Sequence, residues 1–225
     1  MGDVELNKRN KSRDSNPDIS CKSLVALFDG SIEKCETEIA KLEALAKVLE
    51  EKDPYTQAHS SRVMTIAEVI ADEMGIDEDD LGKISQAAAL HDVGKIGVPD
   101  EILTKPSKLT EEEIAIVRQH PQIAAQMLSR LLYPTDCVRL VYHHHEWFNG
   151  EGYPERNAGE EIPLGSRVIA VADAFDAMTS DRPYREAISP EEAERELLGC
   201  SGSQFDPEVV RALTKAKRKG RLLAS

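Results

Sequence analysis

The chain has 225 residues, 40% of them hydrophobic and only 4% aromatic, with a formal net charge of −13. That length supports one sizeable core built from Ala, Ile, Leu and Val, and the composition favours helices over a sheet. So acidic a chain is excluded from coating a nucleic acid polymer non-specifically, and positive charge for any phosphate substrate must be concentrated in its site. Residues 1–20 are polar and aperiodic and read as a disordered arm. In the next stretch, 21–51, Ile32, Cys35, Ile39, Leu42, Ala46 and Leu49 recur at alternating steps of three and four, a heptad seam. It predicts an N-terminal helical extension that packs on its own domain or pairs with a second copy, a homodimer through residues 31–51. The remainder, 52–225, is expected to be one domain.

That domain reads as helix after helix. Asp53-Pro54 caps a helix running to Gly75, and Asp77 opens one ending near Gly94. Thr110 and Glu113 form a capping box. Pro121 begins another helix, and Asp136 one that carries three consecutive histidines. A Gly/Pro loop covers 147–165, a helix follows over 166–178, and Ser189-Pro190 and Asp206-Pro207 start the last two. The basic run 215–221 reads as a solvated helix end. No run alternates as a strand does, so the expected fold is all-α. Cys21, Cys35, Cys137 and Cys200 form no C-x-x-C pair, which argues against a thiolate zinc site. No apolar run is long enough to span a membrane and nothing resembles a signal peptide, so a reduced cytoplasmic protein is expected.

The six histidines are His59, His91, His120 and the run His143-His144-His145, and Asp92 follows His91 directly. His59 shares a helical face with Val63, Ile66 and Ile70, and His91 continues the stripe Leu81, Ile84, Ala88. His120 follows Ile116 by one turn, His144 and His145 follow Leu140 and Val141, and Asp173 follows Ile169. Polar groups at the inner ends of apolar stripes must be paired or ligated. One such residue alone reads as a hydrogen-bonded core histidine or a capping aspartate. The whole set, spread over separate helices, reads as a multi-metal hydrolytic centre, because imidazole and carboxylate are the donors that hold iron, manganese or zinc. Adjacent ligands at His91-Asp92 can face two ions. A carboxylate bridging ions about 3.5–4 Å apart activates water to attack a phosphate ester. Donors restricted to nitrogen and oxygen favour Fe or Mn over structural zinc.

These residues resemble a known family. His91-Asp92-Val93-Gly94-Lys95 resembles the HD signature of metal-dependent phosphohydrolases. The run from His144-His145-Glu146 through Asn149-Gly150-Glu151-Gly152-Tyr153-Pro154 resembles the second signature of the HD-GYP branch, cyclic-di-GMP phosphodiesterases. Lys105-Pro106, Lys108-Leu109-Thr110, His120-Pro121, Val171-Ala172-Asp173, Asp176, the run from Ser180-Asp181-Arg182 to Arg185, and Gln204-Phe205-Asp206-Pro207 also match. The resemblance covers about residues 50–213. It implies an HD-type helical bundle with a central metal site. His59, His91, Asp92, His120, His144, His145 and Asp173 would be ligands, with Asp92 bridging. Lys95 would act beside the metals, holding a phosphate oxygen or steadying the leaving group. Arg182 and Arg185 would grip phosphates or a guanine edge, and Tyr153 would stack on or border the guanine. Gly150 and Gly152 would let the loop turn and approach the ligand. His143 is assigned no metal, and Glu146 is expected to orient a ligand rather than bind an ion.

The implied reaction is hydrolysis of cyclic-di-GMP to pGpG and GMP. The alternatives are another cyclic dinucleotide such as 3′,3′-cGAMP, or sensing without turnover. Two departures from the family stand out. Some members place a Glu one turn before the first histidine, where Tyr55 stands here, so two divalent ions are expected rather than three. Many carry Asp at the position of Asn149, which keeps the shape and loses the charge. Members often carry a receiver or sensor module, and the helix over 31–51 is expected to serve as the dimerising or signalling element in its place.

Overall fold

The computed structural model describes residues 54–181 and 186–222. The arm 1–20, the heptad seam, Arg182 and Arg185 lie outside the described residues. Helix α1, Pro54–Met74, buries Val63, Ala67, Ile70 and Ala71 along one face. It stops at Gly75, whose φ of +75° lets Ile76 N donate to Ala71 O and Gly75 N to Asp72 O. Helix α2, Glu78–Leu90, starts where the Asp77 side chain accepts from Asp80 N, and its three first-turn acids suit the helix dipole.

The sequence placed the end of α2 near Gly94; the structure ends it at Leu90 and tightens Val93–Gly97 into a 3-10 turn. The reason is long-range contact. A Cβ on Gly94 would lie 1.9 Å from the backbone oxygen of His120. After the short α3, Asp100–Leu103, α4 spans Glu111–Val117 with the expected capping box. Lys105 ion-pairs with the box's Glu113. Helix α5, His120–Arg130, begins one residue before the expected Pro121. Helix α6, Thr135–Tyr142, stops just short of the triple histidine, which occupies the turn after it rather than the helix itself.

The loop that follows includes a 3-10 turn at Gly159–Glu161 and leads into α7, Leu164–Thr179. Helices α8, Pro190–Gly199, and α9, Pro207–Arg218, start at the capping residues Ser189 and Asp206. Among the described residues there is no strand, only one isolated bridge between Ser201 and Phe205. Helix α1 packs on α2, α7 and α9, α2 also on α6, and the 3-10 turn on α5. The interior is aliphatic, with Ile84, Ala88, Val168, Ile169, Ala172 and Leu213 fully or nearly fully buried. The basic run on α9 is ion-paired rather than merely solvated. Lys215 and Lys219 converge on Glu73 of α1, and Lys217 on Glu191 and Glu194 of α8. No helix among the described residues is long and apolar enough to cross a membrane.

Candidate metal centre

The packing brings the expected ligands together as two pockets that share one wall. His59 of α1, His91 at the end of α2 and Asp173 of α7 each offer a donor atom within 4.8 Å of the others. His120, at the start of α5, and His144 and His145, in the turn after α6, do the same. Asp92 stands between the pockets and is buried. Its Oδ2 lies 3.5 Å from His91 Nε2 and 3.8 Å from His59 Nε2, while its Oδ1 lies 3.5 Å from His120 Nε2. One carboxylate thus presents one oxygen to each pocket.

Helix ends set the imidazoles. His91 Nδ1 lies 2.7 Å from Ala88 O, His120 Nδ1 2.8 Å from Val117 O, and His144 Nδ1 2.6 Å from Val141 O. Each acceptor is a carbonyl in the last turn of α2, α4 or α6, where helical geometry leaves carbonyls without a partner. A carbonyl only accepts, so each Nδ1 carries a proton, and in the neutral ring Nε2 bears the lone pair. His91 Nε2 is buried without a hydrogen-bond partner. His120 Nε2 and His144 Nε2 face each other at 3.3 Å, two lone pairs with no proton between them. Such converging nitrogen and oxygen donors fit divalent cations.

His59 is braced differently. Its Nδ1 donates to Asp176 Oδ2 at 2.7 Å, and Arg62 pairs with the same carboxylate. This carboxylate–histidine link fixes the ring and raises the basicity of Nε2. Asp176 entered the sequence reading only as a motif position, without this role, and Arg62 did not enter it. The available signal was spacing: Asp176 lies one turn after Asp173, and Arg62 one turn after His59.

The electrostatics separate the pockets. Burial opposes charge on His59, but hydrogen bonds to Asp173 and Asp176, with the charges of Asp173 and Asp92, outweigh it and raise its pKa to about 9. Burial dominates at His145, lowered to about 3 with help from His120, and also lowers His120 and His144. Burial alone would raise the Asp92 carboxyl; Lys95 first, then the imidazoles of His91, His120 and His59, hold it well below its ordinary value. Lys95 Nζ donates to Asp92 Oδ2 at 2.6 Å.

A raised histidine pKa stabilises the fold fully below the unfolded value of 6.5 and loses that contribution as pH rises through about 9. In chelator, therefore, the stability gap between the wild type and His59→Gln is expected to shrink from pH 6.5 to 9, read as urea midpoints. A gap independent of pH would contradict the His59 assignment. Ligation of an ion by His59 Nε2 would need the neutral ring, so uptake at its pocket would expel that proton.

The Gly/Pro loop forms a rim beside the second pocket. Gly150 has φ of +81°, a left-handed turn that favours glycine. Gly152 also meets the chain's own backbone. It is buried, and a Cβ there would meet Trp147 N at 2.2 Å and His145 O at 2.6 Å, so its bareness lets the loop lie against the histidine turn. Glu146 braces that loop, its Oε1 accepting from Glu155 N, rather than orienting a ligand imidazole. Asn149 turns away into an Asx turn, bonding Glu151 through both ends of its amide. His143 Nδ1 lies 3.6 Å from Glu146 Oε1 and joins neither pocket. The Tyr153 ring packs on His145 at 4.9 Å, and the Arg118 guanidinium lies over the same ring at 5.3 Å. Arg118 went unseen in the sequence, where nothing local links it to Tyr153.

The HD-domain family profile matches residues 43–209. The cyclic di-GMP phosphodiesterase response regulator RpfG of Xanthomonas campestris pv. campestris is 40% identical over 186 residues, 81% of this chain and 49% of that protein. A cyclic di-GMP phosphodiesterase of Thermotoga maritima is 43% identical over 180 residues, 79% of this chain and 49% of that one. The chain thus spans about half the length of these curated relatives. The fold is also that of a cyclic GMP-AMP-specific phosphodiesterase from V. cholerae, with a TM-score of 0.58 at 22% identity over 79% of this chain and 48% of that one. The profile match runs across the elements that carry both pockets, with the His91-Asp92 doublet at their shared wall, and the chain belongs to the HD-domain family.

Proposed function

We propose that this chain hydrolyses the 3′–5′ phosphodiester bonds of cyclic-di-GMP, giving pGpG and then GMP. The observation that carries the reading is Asp92, whose two oxygens face two separate three-ligand pockets. Relatives named as cyclic di-GMP phosphodiesterases support the substrate. His59, His91 and Asp173 would hold one divalent ion, His120, His144 and His145 the other, and Asp92 both; Fe or Mn suits the donors. Bound there, the ions supply Lewis acidity that acidifies water and neutralises phosphate charge.

The chain's own groups orient the reaction. Nδ1–carbonyl bonds hold the rings of His91, His120 and His144 with Nε2 aimed inward, so these ligands are already oriented for the ions. Water attacks phosphorus in line with the departing 3′ oxygen, the P–O3′ bond breaks, and that oxygen leaves with a proton. Lys95, held beside the pockets by Asp92, donates to a phosphate oxygen or to the leaving oxygen. Tyr153, at the rim, borders a guanine, and Gly150 and Gly152 shape the loop that carries it. Arg182 and Arg185, outside the described residues, would grip the remaining phosphate charge or a guanine edge. A cytoplasmic homodimer through residues 31–51 completes the proposal.

Anaerobic purification, elemental analysis and product identification on a panel of cyclic dinucleotides test it together. Two ions per chain, with cyclic-di-GMP cut faster than the mixed guanine–adenine species, is the expected result. Preference for the mixed species would replace the substrate, and tight binding without cleavage would replace the enzyme by a sensor.

A further inference from the structure

Arg118 ends α4, its backbone N–H bonded to Ile114 O, and the same short turn delivers His120 two residues later. A cation at a helix C-terminus is favoured by the dipole. The other cations near the core are committed to carboxylates: Lys95 to Asp92, Lys105 to Glu113, Arg62 to Asp176 and Arg167 to Asp206. Arg118 is exposed and has no carboxylate partner among the described residues. It rests instead on the Tyr153 ring, 5.3 Å from the centroid. A guanidinium held on an aromatic face keeps its N–H donors available for an anion.

The position relative to the pockets is specific. Tyr153 packs at 4.9 Å on His145, whose ring lies 4.9 Å from that of His120. The Tyr153 ring thus touches both His145 and the Arg118 guanidinium. The Arg118 charge is joined to the ligand His145 through one aromatic ring, at the rim of the second pocket. A cyclic dinucleotide is a dianion, and while one phosphate is being cut the other calls for cations at the rim, Arg118 along with the Arg182 and Arg185 proposed above.

We propose that Arg118, clamped on Tyr153, binds the phosphate of the cyclic dinucleotide that is not being cleaved. This rests on the function proposed above. A charge-assisted hydrogen bond of this kind corresponds to a change of about 10- to 100-fold in binding. Arg118→Ala is expected to raise KM by that factor, with kcat within about threefold, the pattern of lost uniform binding. Metal content and helicity should be unchanged, since the side chain is exposed and touches no ligand. Arg118→Lys keeps the charge without the planar fork and should fall between the two.

A KM within about twofold of wild type, or loss of metal in the alanine variant, would overturn the assignment. The wild type separates this from the broader reading. If it cuts a different cyclic dinucleotide, the substrate is wrong and the same KM comparison on that compound decides Arg118. If it cuts none, both readings fall.

Discussion

Asp92→Asn is expected to leave both pockets unable to retain metal and to lower phosphodiester hydrolysis on the order of 10^3-fold or more. Asparagine keeps the shape of the side chain and removes its charge. The first pocket then keeps one carboxylate, Asp173, and the second keeps only neutral imidazoles. Metal chemistry supplies several kcal/mol of transition-state stabilisation, and each 1.36 kcal/mol is a factor of ten. The fold should survive, because the aliphatic interior around Val63, Ile84 and Ile169 does not depend on Asp92. Elemental analysis, circular dichroism and turnover on one preparation make the test. Full metal stoichiometry in a folded variant would refute the shared-wall geometry.

The second large effect is expected from a methyl group. In Gly94→Ala the added carbon would lie 1.9 Å from His120 O, 2.6 Å from Ala124 N and 2.9 Å from His120 C. All three atoms are backbone of α5, so no side chain can swing away, and the 3-10 turn and α5 must separate. The expected cost is about 3 kcal/mol of stability, the upper end for overpacking. Because the turn carries Asp92 and α5 carries His120, whose facing atoms are 3.5 Å apart, metal retention should fall as well. Gly199→Ala, with nothing within 4 Å of the added carbon, is the control and should change little. Equal denaturant midpoints for the two variants would show that the close approach is not a constraint.

Helix starts were legible because their chemistry is local. Thr110 with Glu113, Ser189 with Glu192, and Asp77 all bond within their own first turn, as the spacing predicted. The end of α2 was not, since it depends on α5 meeting Gly94 far along the chain. The histidines were legible as inner ends of apolar stripes. What the sequence could not show was their tautomer, fixed by carbonyls that become free only once each helix has stopped. The Asp176–His59–Arg62 link and the seat of Arg118 on Tyr153 are contacts between separate elements and have no periodic signature. Gly152 was legible as a position needing close approach, but not that the chain's own backbone at 145–147 is one of its neighbours.

The pockets also differ in how much chain they tie together. The donors of the second pocket, His120 to His145, span 25 positions, whereas His59 and Asp173 of the first are 114 apart. Fastening the longer span removes about 1.3 kcal/mol more loop freedom from the unfolded chain than fastening the shorter one. An ion in the His59 pocket would therefore be a clasp across the domain, and scarcity of metal would be felt first in the hold between α1 and α7.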